Sequence, residues 1–186
     1  MSEIQVNTIN EYTGANGVSV DGLSIKDGGI QNASGTVLQV VTYQNIITAN
    51  NVVNSTSFTD IEQSSGTKLE IKITPKQSDS KILLISNVNT YYEDNDVHFV
   101  RALRDISGGS TDTVIQSYRL RDENQPNAYN SASPVSYNFV DTPGTTSEVT
   151  YHFQAKVEHT SNDFTWGTAS EANGIGQSFF LWEIGV

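Results

Sequence analysis

Val149, Tyr151, Phe153, Ala155 and Val157 alternate with Thr150, His152, Gln154, Lys156 and Glu158, so apolar and polar side chains leave opposite sides of the chain. Only an extended strand has this period of two, with one face on a core and the other toward water. Leu69, Ile71 and Ile73 repeat the pattern around Glu70 and Lys72. Ile82 to Ile85 are apolar on both sides, which predicts a central strand over 81–88 that is covered on both faces. Further strands are predicted over 38–48, 56–61, 97–103, 113–120, 135–140 and 178–184. Turn clusters separate them: Gln63-Ser64-Ser65-Gly66, Pro75 to Asp79, Ser107 to Ser110 and Thr142 to Thr145. No segment combines a 3.6-residue period with a cap and a helix-forming composition. The expected class is therefore all-β, an antiparallel sandwich or barrel.

The 186 residues leave room for one domain of about 150 residues and an extension, and a domain of that size buries roughly 68–70% of its unfolded surface. The extension has its own texture. Residues 1–36 are rich in Asn, Gly, Ser and Thr and hold only scattered aliphatic side chains. Within them Val18-Ser19-Val20-Asp21-Gly22 is followed by Leu23-Ser24-Ile25-Lys26-Asp27-Gly28, two short strand patterns that each end in an Asp-Gly turn. Such units carry too few apolar side chains to bury a face alone, and become stable when stacked, docked or wound with other chains. Val18, Val20, Leu23, Ile25 and Ile30 are then the residues of attachment or trimerisation. The plain alternative is a flexible leader in which they matter little. The expected division is an N-terminal attachment segment over 1–36 and a β domain over 37–186.

Charge and composition exclude several classes. With 10 Lys and Arg against 21 Asp and Glu, the net charge is −11, which repels a phosphate backbone and argues against nucleic acid. There is no Cys, hence no disulfide and no thiolate nucleophile or ligand. Met1 to Asn7 show neither the basic nor the apolar part of a secretory signal, and the longest apolar runs fall far short of the ~20 residues of a spanning helix. A chain made in a cytoplasm, without membrane insertion, is expected.

Chemistry-bearing patterns are sparse. His98, His152 and His159 form no metal-ligand spacing; His152 is expected on the outward face of its strand, and all three read as exposed or incidental. No G-x-S-x-G elbow is present, and a chain this short offers little room for the long groove of a glycan-cleaving enzyme, so no catalytic residue, cofactor or metal is assigned. The densest polar cluster is Tyr91-Tyr92-Glu93-Asp94-Asn95-Asp96. Asp94 and Asp96 offer oxygen ligands to Ca²⁺ but lack the Gly and distal Glu of an EF-hand, and the plain reading is a solvated acidic hairpin loop. Tyr91 and Tyr92 are suited to stacking on sugar rings, or one of them to the core. A second region is a long polar loop from Arg119 to Asn130, with Arg119 and Arg121 on one strand face and Tyr129 beyond. Trp166 is expected to plug the end of the sandwich.

The order of several motifs resembles tail-fibre and virion-appendage proteins of marine bacteriophages. In the leader these are Val6-Asn7-Thr8-Ile9 and Gly17 to Gly28. In the body they are Val37-Leu38-Gln39-Val40-Val41, Ser55 to Ile61, Ile71 to Pro75, Ser80 to Leu84 and the terminal Leu181-Trp182-Glu183-Ile184-Gly185-Val186. The resemblance implies a homotrimeric fibre or knob on a virion, with a jelly-roll-like head that meets a host-surface glycan or protein and a leader that joins other virion proteins. Fibre proteins of this kind usually carry a long shaft. Here the leader runs straight into the β domain, so a short spike, a head fibre or a capsid-decorating knob is the alternative. A glycan-degrading tailspike ranks below both.

Overall fold

The computed structural model describes residues 18–20, 23–26, 29–31, 34–44, 46–48, 51–92, 97–107, 113–121, 131–160, 164–166 and 177–186. Among them every regular element is a β-strand. The leader holds β1 (Val18–Val20), β2 (Leu23–Lys26) and β3 (Gly29–Gln31), an antiparallel three-stranded sheet of its own. The body holds β4 (Val37–Gln44), β5 (Asn51–Val53), β6 (Thr59–Asp60), β7 (Glu62–Ser64), β8 (Thr67–Lys68) and β9 (Ile71–Ile73). It continues with β10 (Lys81–Tyr92), β11 (Val97–Ile106), β12 (Thr113–Arg121), β13 (Ser131–Asp141), β14 (Val149–Val157), β15 (Phe164–Trp166) and β16 (Ser178–Ile184).

The pairing of these strands is nested. β4 pairs with β16, β5 with β15, β6 and β9 with β14, β10 with β13, and β11 with β12, all antiparallel. The chain is thus one long antiparallel ribbon. Rolling it up adds the cross pairs of β10 with β15 and β16 and of β11 with β14. The result is two facing sheets, one ordered β4-β16-β10-β15-β5 with β13 also on β10, the other β12-β11-β14-β6 with β9 also on β14. This is a jelly-roll-like sandwich, as the alternation and the resemblance led us to expect.

The core is the inward half of each alternating pattern. Val149, Tyr151, Phe153, Ala155 and Val157 are all fully buried, as are Leu69 and Ile71. Trp166 closes one end of the core, stacked on Tyr137 with ring centroids 4.6 Å apart and 5.2 Å from Phe153. The expected plug is therefore present. Short turns match their residues: Gly66, at φ +75, joins β7 to β8 in a conformation that costs a residue with a Cβ dearly.

Four expectations are corrected. β10 is central, between β16 and β13, but of the run Ile82 to Ile85 only Ile82 and Leu84 are buried; Leu83 and Ile85 on its outer face are partly exposed. The expected loop over 91–96 is corrected at its start, since Tyr91 and Tyr92 are strand residues of β10, which is not paired with β11; residues 93–96 lie outside the described residues. The polar loop does not begin at Arg119, because β12 runs through Arg121. His152 is fully buried although it lies on the outward side of β14, next to buried Leu103 of β11; alternation sets the direction of a side chain, not whether it is covered. His98 is also fully buried, in line with Val100 and Ala102 on the inner side of β11, and only His159 is exposed.

Candidate recognition surface

The register gives the sandwich two distinct ends. At one end β4 begins at Val37 opposite Ile184, Ile184 lies opposite Lys81, and Ile82 lies opposite Asp141. The second sheet contributes Arg104, whose guanidinium bonds Asp141 at 2.7 Å, and Ile106 opposite Val149. The leader joins here. Gly35, at φ +80, donates its N–H to the Gly185 carbonyl at 2.8 Å, and the Gly185 N–H returns to Thr36 at 2.9 Å.

Buried Glu183 ties down the neighbouring loop after β9. One carboxylate oxygen accepts from the N–H of Lys76 at 2.7 Å, the N–H of Gln77 at 3.1 Å and the hydroxyl of Ser80 at 2.7 Å. The other accepts from the Gln39 amide at 2.6 Å. This end is built for rigidity.

At the opposite end, Tyr92 of β10 pairs with Ser131 of β13 and Phe164 of β15. Val97 of β11 pairs with Arg121 of β12, His98 with Val157 of β14, and the Glu158 N–H donates to the Val97 carbonyl at 2.9 Å. The strand ends that flank segments 93–96, 122–130 and 161–163 therefore gather at one place. The 12 residues of β10 set that place about 36 Å from the leader's entry at ~3.3 Å per residue.

Four of the seven residues singled out as a binding surface map to this end. Tyr91 and Tyr92 end β10, paired with Ala132 and Ser131. Arg119 and Arg121 end β12, opposite Phe99 and Val97, and the Arg119 side chain is exposed. Asp94, Asp96 and Tyr129 lie outside the described residues. Among the described residues no group of three or more His, Asp or Glu is arranged to hold a metal ion. In the leader, Val18 pairs with Ile25, Val20 with Leu23 and Ile25 with Ile30 in the backbone register.

Two features were not anticipated. The outer side of the β11–β14 sheet carries a cation–aromatic ladder: Arg101 lies 4.1 Å over the Phe58 ring, and Lys156 lies between Phe58 and Phe99 at 5.3 and 4.9 Å. Arg101 also donates to Gln154 at 2.8 Å, which donates to Asp60 at 2.7 Å. These cations are engaged within the chain, so the ladder stiffens the sheet. Beside it, Asn51, Asn54, Ser55, Thr59, Asp60 and Glu62 line an open groove of about 280 Å³ that offers amides, hydroxyls and carboxylates. Each belongs to a short element or a loop. The outward alternation of Phe99 and Arg101 was the available signal for the ladder; the groove had none.

No family model matches the sequence, and no curated protein matches it. Among solved structures, an insecticidal delta-endotoxin of Bacillus thuringiensis shares 11% identity over 73% of this chain and 19% of its own, with a TM-score of 0.38. Eiger TNF from S. frugiperda shares 7% identity over 81% of this chain and 88% of its own, at 0.37. The VP2 subviral particle of infectious bursal disease virus shares 10% identity over 91% of this chain and 42% of its own, at 0.41. The chain thus spans less than half of the delta-endotoxin and of VP2. These likenesses are distant, and no functional reading rests on them.

Proposed function

We propose that the chain is a non-enzymatic structural protein of a bacteriophage virion, a short homotrimeric fibre or spike that binds a host-surface glycan or protein. Residues 1–36 join the particle, and the end of the sandwich that carries Tyr92, Arg121 and Glu158 is the outward binding end. The observation that carries this reading is the polarity of the sandwich. The leader enters at the Gly35–Gly185 end, and Tyr92, Arg121 and Glu158 lie at the other. A protein that must hold a particle with one end and a surface with the other needs that separation, and loops on a rigid β scaffold commonly carry recognition. The resemblance to phage appendage proteins supports the same assignment.

The test is a virion assembled with a chain that lacks residues 1–36. The shortened protein should fold, because the buried core begins at Ile47 and the side chains packed against it begin at Val41, all beyond residue 36. It should be missing from purified particles, while the full chain is present. Normal incorporation of the shortened chain would overturn the division of labour. Density on the capsid instead of the tail would favour a decoration protein.

A further inference from the structure

Across the outer face of the first sheet, Val40 of β4, Trp182 of β16, Leu83 of β10 and Val140 of β13 stand in one register row. Val40 is 47% exposed, Trp182 37% and Val140 57%. The next row adds the partly exposed Phe180 and Ile85 at its centre, flanked by the exposed Thr42 and Asn138. A contiguous apolar face on a sheet is a contact surface more often than a water-facing one.

Three observations identify its occupant. The chain has net charge −11, yet Lys81 is the sole charged residue at an outward position on these four strands; Asp141 and Glu183 point inward and are buried. Two copies of this acidic chain can meet here without like-charge repulsion. The four strands make a face about 19 Å wide and about 23–36 Å long, from ~4.8 Å between strands and ~3.3 Å per residue. That is of the order of the ~800 Å² each partner contributes to a stable interface. Finally, the apolar rows lie toward the leader end, while the next row, Gln44, Ser178, Asn87 and Ser136, is polar. Contact is thus concentrated where leaders of neighbouring copies would converge.

We propose that this face is the surface through which copies of the chain pack together, with Val40, Trp182, Leu83 and Val140 at its centre. It supplies the second cover that the doubly apolar run Ile82 to Ile85 calls for. The proposal names the contact for the trimer reading above, and it is tested in solution without any particle, so either can fail alone.

The test is sedimentation equilibrium of the full chain at micromolar concentration, beside Val140→Glu and the double variant Val40→Glu/Val140→Glu. The parent should assemble. Each variant should keep its far-ultraviolet circular dichroism and fall toward monomer, with association weakened about 100-fold or more, since it would bury an unpaired charge. A monomeric parent, or variants that remain assembled, would overturn the proposal. Should either Glu variant fail to fold, Val140→Cys supplies the sole thiol in a Cys-free chain. Its reaction with a thiol reagent should slow as protein concentration rises. A rate independent of concentration, whether fast or shielded by the chain's own leader, refutes contact between copies.

Discussion

Tyr43 of β4 and Lys72 of β9 belong to opposite sheets, yet the Tyr43 hydroxyl accepts from the Lys72 N–H at 3.0 Å and donates to the Lys72 carbonyl at 3.1 Å. One phenol thus satisfies both backbone groups of an edge residue. At the other seam the Tyr118 hydroxyl donates to the Asn138 carbonyl of β13 at 2.8 Å. Two tyrosines therefore close the two sides of the sandwich, where open strand edges would otherwise invite pairing with another chain.

Tyr43→Phe leaves two polar groups unpaired and should lower unfolding free energy by about 1–3 kcal/mol, whereas Tyr118→Phe removes one bond and should cost about 1 kcal/mol. Denaturant unfolding of both variants checks the order. Equal, negligible losses would mean that water replaces the phenols without penalty.

The Glu183 carboxylate should matter more than either. Glu183→Gln replaces one acceptor with an amide donor among four groups that all donate, in a fully buried place. A loss of about 2–3 kcal/mol is expected, with faster amide hydrogen exchange at Lys76 and Gln77. Unchanged exchange at those amides would show that the loop is held by other contacts.

Alkaline pH should unfasten the sandwich. Burial pushes the Tyr118 phenol up to about 12, and burial together with the Asp141 carboxylate raises Tyr151 further. A phenol in the unfolded chain ionises near ~10. Between those values the unfolded chain binds fewer protons than the folded one, so stability is intact below ~10 and falls as pH rises toward about 12. The denaturation midpoint measured from pH 9 upward should decline over this window, and Tyr118→Phe should flatten part of the decline. A midpoint that is level to pH 12 would contradict the assignment.

Part of this fold was legible because apolar and polar residues alternate through β9 and β14. The inward set of β14 follows from side-chain direction alone, the bounds of β16 follow from its apolar run, and Gly66 marks its turn through its chemistry. The three-residue strands β5 and β15 were not legible, since so few residues show no period and their partners lie over a hundred positions away. His152 shows a second limit: cover is a tertiary property that alternation does not contain. The doubly apolar run at Ile82 to Ile85 was informative in a different way. Its pattern predicts two covered faces, and among the described residues only the inner pair, Ile82 and Leu84, is fully buried. As for the recognition surface, Tyr91, Tyr92, Arg119 and Arg121 were chosen as polar or aromatic residues near presumed loops. That they share one end depends on the rolled ribbon, in which β10–β13 and β11–β12 are nested pairs, and no local pattern encodes that.

The central claim is an oriented virion component, held by its leader and presenting the far end of the sandwich. Cryo-electron microscopy of intact particles tests it most directly. The account predicts the β head on the particle surface, with the Gly35–Gly185 end inward and the Tyr92, Arg121 and Glu158 end facing out. Purified particles without the chain, or a head docked by its Tyr92 end, would contradict it.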